Sequence, residues 1–98
     1  MNDILRRNEE LLRANGAMRF LGQQVPGLRG GMAPVTEAGL AAAAHREGAG
    51  VVRRYLAHRA ANLPPPAPVR GRGDLSNFNE IERRLRAFAE TLYQTVRL

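Results

Sequence analysis

The chain has no cysteine, no lysine and no tryptophan, and a single serine, Ser76. Without cysteine there are no disulfide staples and no thiolate metal ligands, and two histidines, His45 and His58, speak against a structural zinc site. Without lysine there is no phosphate-cradling Walker lysine. Large aliphatic and aromatic side chains are also scarce. Only 23 of the 98 residues are Leu, Ile, Val or Phe, not far above the level at which a chain stops forming a core. No stretch approaches the roughly 20 apolar residues that cross a bilayer. The opening Met1-Asn2-Asp3-Ile4-Leu5-Arg6-Arg7 lacks the charged-then-apolar order of a secretory leader. A cytoplasmic protein, or one carried in a particle assembled in the cytoplasm, is the expectation, with no membrane contact.

What the chain has instead is arginine, alanine, glycine and proline: 15, 15, 10 and 6 residues. The net charge is +6, and all of the cationic side chains are arginine. This composition is what a GC-rich genome favours, so the arginine count alone does not identify a ligand. Its distribution says more. Residues 74–98 balance four acids against four arginines, whereas residues 48–73 hold Arg53, Arg54, Arg59, Arg70 and Arg72 and no acid.

Helical signals punctuate the chain. In residues 1–21, Asn2 suits an N-cap and Asn15-Gly16 a C-terminal stop. Ile4, Leu5, Leu11 and Leu12 share the apolar face, with Asn8 and Asn15 inside it. Residues 22–35 read as a Gly/Pro connector: Pro26-Gly27 fits the centre of a turn, and Gly30-Gly31 leaves the backbone free. An Ala-rich helical segment over 36–61 starts near Thr36 and is either broken at Gly48-Ala49-Gly50 or continuous through it. Residues 62–76 form an extended Pro/Arg/Gly-rich linker, because consecutive prolines force polyproline II or extended backbone.

The strongest helical pattern lies over 77–98. Phe78, Ile81, Leu85, Phe88 and Leu92 recur at alternating spacings of three and four, with Glu80/Arg84 and Glu82/Arg86 as acid-first pairs. The resulting stripe is narrow, suited to packing along one partner helix. The expected fold class is all-α: two to four helices joined by extended Pro/Gly-rich connectors, with little or no independent globular core.

No motif carries catalysis. His45 and His58 have no nucleophile set beside them, and Ser76 falls at a helix cap position. Gly48-Ala49-Gly50 lacks the third glycine and the preceding strand of a dinucleotide fingerprint. Arg72-Gly73-Asp74 spells an integrin-type tripeptide that this composition produces by chance. No cofactor, metal or small-molecule substrate is expected.

The leading reading is a non-enzymatic structural or assembly protein, a coiled-coil-like clamp between protein subunits, in the manner of a minor component of a phage-like virion. Its contacts would be Phe78, Ile81, Leu85, Phe88 and Leu92, with a second contact from Ile4, Leu5, Leu11 and Leu12. The alternative is a small nucleic-acid-binding or DNA-packaging protein using Arg53, Arg54, Arg59, Arg70 and Arg72, helped by the short Arg/Gly runs Arg29-Gly30-Gly31 and Arg70-Gly71-Arg72-Gly73. A third, weaker reading is an antitoxin-like regulatory helical peptide.

Overall fold

Thr36 opens the first well-defined helix by capping it. Its Oγ1 accepts the Gly39 amide at 3.0 Å, satisfying one of the amides that a helix start leaves without a partner. Helix α1 (Glu37–Glu47) follows and stops at Gly48, whose φ of 91° is left-handed backbone that glycine adopts without strain. The chain turns there and starts α2 (Ala49–Ala60) immediately. The interruption is confined to Gly48, and Ala49 and Gly50 belong to α2. Helix α3 (Asp74–Ala87) begins three residues before the heptad pattern and ends before Phe88, which sits in the following turn.

The computed structural model describes residues 10–71 and 73–90. Residues 10–14 are helical, followed by a 3₁₀ turn at Ala17–Phe20. Between that turn and α1 lies a two-stranded antiparallel hairpin, β1 (Gln24–Pro26) and β2 (Met32–Pro34). Val25 pairs with Ala33, and both point inward; Gln24 and Met32 are exposed. The two prolines, which lack an N–H for a ladder, sit at strand ends. Bonds from Gly22 N to Val35 O (3.0 Å) and Val35 N to Gln23 O (2.9 Å) extend the pairing past Pro34.

The mostly helical expectation holds, with one small two-stranded sheet added to it. Residues 22–35, expected as a connector, contain that hairpin. The expectation of little or no independent core fails. Leu12, Val25, Val35, Leu40, Val52, Tyr55, Leu56, Phe78, Ile81 and Leu85 form one buried cluster. The radius of gyration is 12.8 Å, close to the ~13 Å of a compact 100-residue domain.

Small residues explain why counting large side chains underestimated this core. Ala17, Ala33, Ala43, Ala44 and Ala49 are buried within it. Where α1 crosses α3, a Cβ on Gly39 would lie only 3.0 Å from Leu85 Cδ2 and 3.2 Å from Leu85 Cα. The helices therefore approach closely, and each large side chain gains more neighbours than it would between bulkier faces.

Candidate interaction surface

Two charged residues lie within the apolar stripes of their helices and are buried: Arg59 on α2, 3% exposed, and Glu82 on α3, 4% exposed. Removing an ionised group from water costs several kcal/mol unless it is paired and hydrogen-bonded, so their partners matter. Arg59 donates from Nε to Pro26 O at 2.8 Å, from Nη2 to Gly27 O at 3.4 Å, and from Nη1 to Leu63 O at 2.9 Å. The planar guanidinium presents its donors in a fixed fork, and this arrangement engages all three of its nitrogens. Glu82 accepts the Leu28 amide at 2.8 Å and lies 3.7 Å from Arg86. Arg86 in turn donates to Gly30 O at 3.3 Å.

The hairpin tip is thus held by three charged side chains, one from α2 and two from α3. Within the tip, Gly27 N donates to Gly31 O at 2.8 Å, and Gly30 and Gly31 take φ values of 97° and 70°. A side chain at Gly27 would collide with Gly30 O and Arg86 Nη2. The clamped tip carries Arg29 and Met32 outward, Met32 being 50% exposed, with Leu28 half-buried beneath them. Arg29, Asn79, Glu82, Arg83 and Arg86 line a shallow groove between the tip and α3.

Behind Glu82, the Tyr55 hydroxyl is fully buried and makes no well-formed hydrogen bond. Burial, and secondarily the Glu82 carboxylate, push its pKa up, so it remains a neutral phenol. The Tyr55 ring meets Phe78 edge to face at 5.5 Å, and His58 meets the same ring at 5.3 Å. On the far side of α3, Glu80 lies 2.7 Å from Arg83 and 2.9 Å from Arg84. Hydrogen bonds from these two guanidiniums hold its carboxyl down at about 2.

The seam residues occupy different places from those expected. Phe78, Ile81 and Leu85 are buried in this chain's own core, as is Leu12. Phe88 is half-buried and Leu11 is 44% exposed. Ile4, Leu5 and Leu92 lie outside the described residues. The α3 stripe therefore packs on α1 and α2, because their small residues leave it room, and does not stand open to a partner helix.

The arginines divide similarly. Arg53 donates from Nε to Asn15 O at 2.9 Å, and Arg54 reaches both carboxylate oxygens of Asp74 at 3.0 Å. Arg59 is enclosed as described. Of the five candidate phosphate contacts, only Arg70 is a described, exposed side chain without such a tie; Arg72 lies outside the described residues. Arg29, Arg83 and Arg86, which the sequence reading did not group, are the arginines that the fold brings together. A charged residue inside an apolar stripe, as at Arg59 and Glu82, is the signal that would have revealed the clamp.

Among the described residues, no group of three or more His, Asp or Glu side chains is placed to hold a metal ion. No helix among them is long and apolar enough to cross a membrane. No family model, curated protein or solved structure matches the chain.

Proposed function

We propose that this chain is a non-enzymatic assembly module that docks to protein subunits of a larger complex through its clamped hairpin tip. The observation that supports this is the engagement of Arg59, Glu82 and Arg86 on the backbone of residues 26–31. An apolar contact would hold a short hairpin at lower desolvation cost, and buried ionic groups are a known means of specifying one arrangement over others. A loop fixed in shape carries less ordering entropy into a complex, so more of its contact energy appears as affinity. Arg29 and Met32 supply the charged and apolar halves of a small contact patch, and arginine and methionine are both enriched in protein interfaces.

The arginine-rich nucleic-acid reading is the weaker one, because Arg53, Arg54 and Arg59 already bond within the chain. Copurification at native expression, with the bound chain weighed, tests the proposal. A stoichiometric protein partner should survive high salt and be lost with Arg29→Glu/Met32→Asp. A wild-type chain that elutes alone, or a complex with nucleic acid that weakens linearly in log–log salt, would refute it.

A further inference from the structure

The segment joining α2 to α3 has a backbone dictated by its prolines. Pro64 and Pro65 each precede another proline, which bars α backbone, and their own rings fix φ near −65°. All described peptide bonds here are trans. Residues 63–69 form no helix, strand or turn, and the backbone these rings favour is polyproline II, with about three residues and 9 Å per turn. Residues three apart share an edge of such a helix. Pro66 is the half-buried one and turns toward the body of the protein, while Pro65, Ala67, Pro68 and Arg70 are exposed. Leu63 and Val69, at the two ends of the strap, are 49% and 61% exposed.

Both ends are tethered. His58 Nε2 lies 2.9 Å from Pro64 O, and Arg59 Nη1 lies 2.9 Å from Leu63 O and 3.1 Å from His58 Nδ1. Because arginine only donates, Nδ1 accepts, and the proton on Nε2 points at the Pro64 carbonyl. At the other end Asp74 is held by Arg54, and Val69 packs against Gly73, where any side chain would collide with it. Between the tethers, residues 65–71 make no hydrogen bonds among the described residues, so their carbonyls are open to an outside donor. No acid lies between Gly48 and Gly73, and the strap ends on Arg70.

We propose that residues 63–70 are a preformed docking strap for a partner domain with an aromatic-lined polyproline groove flanked by carboxylates. Resting on the assembly reading, it names a partner class for a second surface. Pro65 and Pro68, one turn apart on one edge, fill the spaces between the groove's aromatic rings. The open carbonyls accept from its Trp or Tyr donors, and Arg70, two residues on, meets its acids. Tethering at both ends removes most of the ordering cost that a free Pro-rich peptide would carry.

The test titrates the full chain, labelled for amide NMR, with isolated SH3-type domains chosen with and without acids beside the groove. Saturable binding by the acid-flanked domains, with shifts confined to residues 63–71, is expected. Pro65→Ala/Pro68→Ala and Arg70→Glu should each weaken it at least tenfold, with unchanged circular dichroism. Arg70→Glu, at an exposed site, remains informative if the proline variant misfolds. Binding by no domain of the panel overturns the proposal, as does undiminished binding by Arg70→Glu. So does a steeply salt-dependent affinity for single-stranded oligonucleotide that the proline changes leave intact. A native partner that is lost with Arg29→Glu/Met32→Asp but kept by both strap variants would overturn this inference and leave the assembly reading standing.

Discussion

Residues 22–35 and 62–73 are similar on paper, both rich in proline and glycine and poor in large side chains, and the structure treats them in opposite ways. The first contains a hairpin, and residues 63–69 of the second run without helix, strand or turn as a strap. Two differences in chemistry account for this. In 22–35 the prolines are isolated and fall at strand ends, leaving the intervening amides free to pair, and Val25, Ala33 and Val35 supply inward side chains. In 62–73 the prolines run together, so the amides a ladder needs are missing, and no alternating apolar set exists. The placement of proline, more than its number, decides whether such a segment folds.

Arg59 serves both regions, and Arg59→Ala is the change that should disturb them most. Three carbonyls of Pro26, Gly27 and Leu63 would lose a charged donor, and each buried acceptor left unsatisfied costs about 1–3 kcal/mol. A fall in urea midpoint with faster amide exchange at both the tip and residue 63 is expected; exchange confined to one region would separate the two. Glu82→Ala should act on the hairpin alone, costing about 1–3 kcal/mol as the Leu28 amide loses its acceptor. Proteolysis near residues 27–31 should rise while the strap keeps its wild-type pattern.

Tyr55→Phe isolates the same carboxylate. The hydroxyl is buried without a well-formed bond, so its removal should leave stability unchanged or raise it by up to about 1 kcal/mol, read as a thermal midpoint. A clear loss would show that the phenol supports Glu82, and through it the tip.

The smallest effect belongs to Glu80, on the strap side of α3, beside Pro68 and Val69. Its carboxyl is depressed in the folded chain from the usual 4.5 to about 2, so its contribution is complete above about 4.5 and disappears as pH falls toward 2. Because these ion pairs are largely solvent-facing, the change should be modest and screened by salt. Glu80→Gln should remove that part of the acid dependence, measured by denaturant midpoint from pH 5 to pH 2.

Local punctuation made much of the fold legible. Asn15-Gly16, Thr36, Gly48 and the proline run all mark boundaries through backbone rules that need no tertiary information. The core was not legible, because its density comes from alanine and from Gly39, residues that carry little hydrophobic signal until two helices cross at them. The candidate surface was hidden for a related reason. Arg59 reads as one more cation beside Arg53 and Arg54, and Glu82 as an i,i+4 partner of Arg86. Yet Val52, Tyr55, Leu56 and Arg59 fall on one face of α2, and Phe78, Ile81, Glu82 and Leu85 on one face of α3. Only the fold shows that the backbone of a distant loop satisfies both charges.

A single planar cation bridging residues 26, 27 and 63 also makes these two surfaces mechanically dependent on each other. A ligand that seated Leu63 more firmly would favour the guanidinium pose that grips the hairpin, and by linkage a ligand on the hairpin would return the same bias to the strap. A lysine at position 59, with one tetrahedral head in place of a flat fork, could not span the three oxygens and would uncouple the two ends.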